Sequence, residues 1–155
     1  MADRVSASIV LGGTMSAADY AELTELIALE GLSIEWDGEP FEPEHRNVGE
    51  PLSLCAHEVA FGRFEALEAW CREKRIVYSR WSGSYAGQWG GERVVFSGDG
   101  EPAWFAADED DCVMIGRETA EKLGSMEAIR AHFDAADAKV PPLVVEGSLP
   151  EQPAA

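Results

Sequence analysis

Basic residues are scarce in this chain: twelve lysines and arginines stand against twenty-nine aspartates and glutamates, a formal net charge of −17 over 155 residues. A nucleic-acid-binding face needs Lys and Arg in excess, so no direct affinity for DNA or RNA is expected. Long apolar runs are missing as well, and no stretch approaches the roughly 18 residues that a bilayer span requires. The opening residues, Met1-Ala2-Asp3-Arg4-Val5, lack the basic start, apolar core and cleavage site of a secretory signal. A cytoplasmic protein without membrane contact is the expectation. Cysteine is limited to Cys55, Cys71 and Cys112, odd in number and without CxxC spacing. They read as three reduced, mostly buried thiols, dispensable for activity, not as a disulfide framework. No HExxH, GxGxxG or GxxxxGK[ST] pattern occurs, so neither a catalytic metal nor a nucleotide cofactor is expected.

What the chain has in excess is acid, and it is unevenly spread. Residues 1–50 hold eleven acids against Arg4 and Arg46, residues 51–100 hold six of each sign, and residues 101–155 hold twelve acids against four bases. A neutral middle is flanked by two acidic ends. A net charge well beyond the usual magnitude of roughly 2 to 8 for a small domain exceeds what solubility requires. Such a field repels nucleic acid and anionic membranes and attracts basic partners.

The hydrophobic pattern predicts an α+β fold. Residues 5–11 alternate as a strand that ends at Gly12-Gly13, and Ser16 caps a helix to Glu30 with Tyr20, Leu23, Leu26 and Ile27 on one face. Gly31 stops that helix, and a short strand is expected at 32–36. The order recurs as a strand at 52–59, a helix at 61–74 and a strand at 75–81. The apolar positions Phe64, Leu67, Trp70 and Cys71 repeat the first helix's face at a constant offset of 44 residues. Two βαβ units at 5–36 and 52–81 predict a ferredoxin-like antiparallel sheet with helices on one face. A C-terminal extension, 92–145, adds a hairpin (93–96 and 103–107), a strand at 112–115, helices near 118–123 and after Ser125, and an edge strand at 143–145. The expected organisation is one domain, 1–145, with a flexible tail at 146–155.

Three features bear on function. Cys55 and His57 lie two apart on one strand face and form the best nucleophile candidate, although a core cysteine is the more common meaning of that pattern. The stretch Arg80, Trp81, Tyr85, Trp89 sets aromatics and an arginine on a Gly/Ser scaffold, the composition of a binding loop, and a loop folded back into the core is an equal alternative. Asp19, Glu22, Glu25, Glu35, Asp37, Glu39, Glu42 and Glu44 form an acidic array that, gathered on one face, would present charge much as a phosphate backbone does. Asp108-Glu109-Asp110-Asp111 lacks the spacing of a calcium loop and reads as a solvated turn.

In size, charge and lack of catalytic motifs the chain resembles the small acidic inhibitors carried by phages and plasmids, such as anti-CRISPR and anti-restriction DNA mimics. That resemblance implies a non-enzymatic protein whose acids and aromatics occupy a basic, nucleic-acid-binding surface of a partner. The alternative is a small-molecule-binding or enzymatic α+β domain with a pocket under the 80–91 loop. A third reading, an acidic adaptor for a basic protein, shares the first one's electrostatics.

Overall fold

The computed structural model describes residues 4–85 and 89–146. Its elements are β1 (Arg4–Ser16), α1 (Ala17–Glu30), β2 (Leu52–Ala60), α2 (Glu65–Lys74), β3 (Val77–Ser82), β4 (Glu92–Phe96), β5 (Ala103–Ala106), α3 (Arg117–Leu123), α4 (Met126–Ala136) and β6 (Leu143–Glu146). The strands form one open sheet in the order β2-β1-β3-β4-β5, all antiparallel, and β6 joins it parallel to the end of β1.

Strand alternation decides which side chains meet which layer. On β1, Ala7, Ile9 and Leu11 are fully buried and pack with Leu23 and Ile27 of α1 and Leu67 and Cys71 of α2. Burying each of the larger side chains stabilises the fold by roughly 1.5–3 kcal/mol. Ser6, Ser8 and Val10 point to the other face and are half-buried. There a second, smaller core of Val95, Phe105 and Ala136, with Val113, seats α4 against β4 and β5. The sheet is thus covered by α1 and α2 on one face, and on the other, among the described residues, a helix packs at its β4-β5 end.

Local capping follows the sequence. Ser16 Oγ accepts the Asp19 N–H at 3.1 Å, and Gly31, at φ 71°, ends α1 in the left-handed conformation. Ser125 Oγ opens α4 in the same way by accepting the Ala128 N–H. The α2 entrance is different: Phe64 offers no side-chain cap, and the Glu68 carboxylate instead accepts the Phe64 N–H at 2.8 Å.

Three expected features take another form. Gly12-Gly13 does not end the first strand, because β6 pairs with residues 13–16 and carries β1 on to Ser16. A Cβ on Gly12 would lie 1.7 Å from the Pro141 carbonyl oxygen, so only glycine lets the approach to β6 come this close. The strand expected at 32–36 is reduced to a single bridge between Ser33 and Cys55, since the chain turns at Trp36-Asp37-Gly38 with Asp37 at φ 59°. The strand expected at 112–115 is likewise one bridge, Ala107 to Val113. The α+β architecture therefore stands, while a ferredoxin-like arrangement is not confirmed. Among the described residues no helix is long and apolar enough to cross a membrane. Beyond Glu146, the expected tail lies outside the described residues.

Candidate functional site

The uncovered middle of the sheet carries an open groove of about 410 Å³. Its floor is Ser6 and Ser8 of β1, His57 of β2 and Trp81 of β3, all on the face away from α1 and α2. One wall is Trp36, from the loop after α1, and the other is the turn Glu109-Asp110-Asp111 after β5. Past Ser6 and His57 the groove opens into a hollow of about 440 Å³ bordered by Arg4, Gly83, Ser84 and Tyr85.

A hydrogen-bonded chain crosses this floor. Ser6 Oγ lies 3.0 Å from His57 Nδ1, and His57 Nε2 lies 3.2 Å from Asp37 Oδ1. A β-bulge produces the first contact: between Val5 and Ala7 the register on β2 jumps from Val59 to Ala56, so two residues, His57 and Glu58, oppose Ser6. Glu58 takes φ 55°, the left-handed conformation that re-aims a neighbouring side chain at such bulges. The Trp36 ring packs on the imidazole at 4.9 Å and meets Trp81 edge-on at 6.4 Å.

The acidic turn is bound more tightly than a solvated turn would be. Asp108 Oδ1 accepts the N–H groups of Asp110 and Cys112, and the Trp81 indole N–H donates to the Asp108 carbonyl. Glu109 takes both the N–H and the hydroxyl of Ser84. Arg93 donates to the Asp111 carboxylate at 2.9 Å and to its carbonyl, and reaches Asp137 and the Ala136 carbonyl at the end of α4. Arg93 offsets Asp111, which leaves Glu109 and Asp110 as the carboxylates on that wall of the groove.

The binding-loop residues divide. Arg80 points to the helix-covered face, where its 3% exposed side chain joins Glu68 at 3.0 Å and Glu92 at 2.9 Å. There it is part of a buried ion-pair network between α2, β3 and β4. Trp81 is also buried, at 9% exposure, as the floor of the groove. Tyr85 and Trp89 are half-buried and stack on each other at 5.1 Å, with Phe61 against Trp89. Residues 86–88 between them lie outside the described residues.

The acidic array divides too. Asp19 bonds Lys74 at 3.3 Å and Glu22 accepts the Trp70 indole N–H at 3.0 Å, both against α2 on the covered face. Asp37 sits with His57 on the opposite face. Glu25, Glu35, Glu39, Glu42 and Glu44 are exposed.

Cys55 shares a face with His57, but the histidine's hydrogen-bond partner is Ser6. Burial, helped by the charges of Asp37 and Glu35, pushes the Cys55 thiol up, which disfavours a reactive thiolate. Among the described residues, no group of three or more His, Cys, Asp or Glu side chains is placed to hold a metal ion.

A second cleft, of about 580 Å³, lies between α2 and the β4-β5 end of the covered face. Its floor is the Arg80, Glu68 and Glu92 network, and at its rim Trp104 is 60% exposed with its indole N–H on Glu92. Three arginines and three glutamates balance there, which gives that cleft no preferred ligand sign.

Comparison with protein-family models, with curated proteins and with solved structures returned no match.

The sequence reasoning missed Ser6 and the link from Asp37 to His57. A signal for the first was present: Ser6 and Ser8 are polar at alternate positions of a strand whose other face is wholly apolar. Nothing local pointed to His57 as their neighbour.

Proposed function

We propose that this chain is an acidic binding protein that captures a basic partner, with the groove between Trp36 and residues 109–111 as the seat for an arginine or lysine side chain. The observation that carries this reading is the groove's lining. The exposed indole of Trp36 stands opposite Glu109 and Asp110, and a cation between them gains both ring and carboxylate contacts. Tyr85 borders the hollow at the far end, and with Trp89 stacked on it can supply the aromatic anchor expected of a binding loop.

The partner best suited to a chain of net charge −17 is a nucleic-acid-binding surface rich in arginine and lysine, which the protein would occupy in place of a phosphate backbone. On this reading the fold itself is a ferredoxin-like sandwich whose second strand has shrunk to the Ser33–Cys55 bridge and whose far edge has grown by β4 and β5.

Titration of a fluorescent arginine-rich peptide across a range of salt concentrations tests the proposal. Binding should weaken steeply with salt, since exposed charges are screened over about 8 Å at physiological ionic strength. Asp110→Lys combined with Glu35→Lys should weaken it by roughly tenfold, a loss of about 1.4 kcal/mol. The protein should also displace duplex DNA from the same peptide. Absent binding, or binding indifferent to salt and to the reversals, would sink the reading.

A further inference from the structure

Capture of a cation makes no use of the chain of contacts from Ser6 through His57 to Asp37, yet Ser6 and His57 lie on the floor of the same groove. We infer that Ser6 is a nucleophile for acyl transfer, with His57 as its general base, Arg4 as the donor to the developing oxyanion and Asp37 as the residue that positions His57.

Asp37, 3.2 Å from Nε2, selects the tautomer that carries its proton there, and this turns the Nδ1 lone pair toward the Ser6 hydroxyl at 3.0 Å. That is the arrangement of nucleophile, base and orienting group that activates a serine, with the two ring nitrogens exchanged relative to the familiar protease order. Two left-handed residues, Asp37 at φ 59° and Glu58 at φ 55°, set the orienting group and the bulge. Arg4 lies two residues before Ser6, so its side chain shares that face, and it borders the same hollow. One of its nitrogens donates to the Glu58 carbonyl at 2.9 Å, which ties the guanidinium beside the bulge. Glu109 and Asp110 across the groove select against an anionic acyl group and for a cationic one; this preference rests on the binding reading above, and the nucleophile does not.

The step balances without a further reactant. The Ser6 Oγ–carbonyl carbon bond forms, the hydroxyl proton passes to His57 Nδ1, and the ester C–O bond breaks as that proton goes to the departing alcohol oxygen. Water then attacks the acyl-Ser6 carbonyl, gives its proton to His57, and releases the carboxylic acid as Ser6 recovers its own.

Two esters separate the parts of the proposal: p-nitrophenyl acetate, neutral, and p-nitrophenyl 4-guanidinobenzoate, whose acyl group is cationic. Release of p-nitrophenol is followed at once with intact mass, and the adduct is mapped by peptide mass spectrometry. The adduct should sit on Ser6, and the guanidinobenzoate should react faster. Ser6→Ala and His57→Gln, each with an unchanged circular dichroism spectrum, should lower the rate roughly 100-fold. Asp37→Asn should slow acylation and Asp37→Glu should restore it, which a purely structural role for Asp37 would not produce. Acylation confined to Cys112 or to lysines, or wild-type reactivity in Ser6→Ala, overturns the inference. Ser6 acylation by acetate with no advantage for the guanidinobenzoate refutes the cationic preference alone. Loss of acylation with peptide binding intact in Ser6→Ala separates this chemistry from the binding reading.

Discussion

Replacing Arg80 should cost folding stability and leave partner binding alone. Its side chain, 3% exposed, holds Glu68 Oε2 at 3.0 Å, Glu92 Oε2 at 2.9 Å and Ser82 Oγ at 3.0 Å. Glu68 is itself 7% exposed, and the same oxygen receives the Phe64 N–H that opens α2. Arg80→Met keeps an unbranched apolar stem and strands the Glu68 charge. Breaking a buried pair by removing one partner costs about 3–5 kcal/mol, because the remaining charge has neither water nor counter-ion. Glu92, at 19% exposure, can recover some hydration, which places the expected loss at the lower end, about 3 kcal/mol. For a domain of this length that corresponds to a fall in Tm of roughly 10 °C. Urea unfolding followed by tryptophan fluorescence and circular dichroism measures it. Adding Glu68→Met to Arg80→Met should return part of the loss, since two apolar side chains then fill the space of a buried ion pair. A loss under about 1 kcal/mol, or a double variant worse than the sum of its parts, would refute the assignment of Arg80 to the fold.

Gly12→Ala should displace β6 from β1, because the new Cβ would meet the Pro141 carbonyl oxygen at 1.7 Å. The expected cost is about 2 kcal/mol, with faster proteolysis between α4 and β6 as the readout. Alkylation by iodoacetamide should reach exposed Cys112 first, Cys55 more slowly and Cys71 last, since burial pushes the Cys71 thiol up to about 12; equal rates by mass spectrometry would contradict the packing. Burial also pushes the Glu30 carboxyl up, against the N–H groups of Leu67 and Ala66 that favour its charge. The folded chain then holds that proton more tightly than the unfolded one, so Glu30 adds stability below the ordinary glutamate range and loses it as pH rises through the raised folded value. Glu30→Gln should flatten the decline in urea midpoint between mildly acidic and neutral pH, and an unchanged slope would show that Glu30 does not contribute.

Much of the fold was legible because its signals are local. Ser16, Gly31 and Ser125 mark helix ends through bonds that span three or four residues, and the alternation in β1 and the periodic faces of α1 and α2 are read within one element. The segment 32–36 misled because a short apolar run looks the same whether or not a neighbouring strand accepts it. The turn at Asp37 takes this one away after a single bridge. The extension of β1 through Gly12-Gly13 was hidden for the converse reason: the strand that pairs there comes from residues 143–146.

The candidate site shows the same division more sharply. By itself the sequence determined the charge, the two ends of α1, the start of α4, the apolar faces, and the parity that puts Ser6 on the opposite side of β1 from Ile9, whereas α2, expected from residue 61, starts only at Glu65. It equally determined that Cys55 and His57 share a face, without showing which of them would be used. Tertiary structure alone decided that Arg80 is buried between two glutamates, that Asp19 and Asp37 fall on opposite faces of the sheet, and that His57 meets Ser6 across 51 residues of chain. The first two depend on how helices and loops distant in sequence pack on the sheet; the last depends on the register between β1 and β2, where a shift of one residue reverses the face of every side chain on a strand.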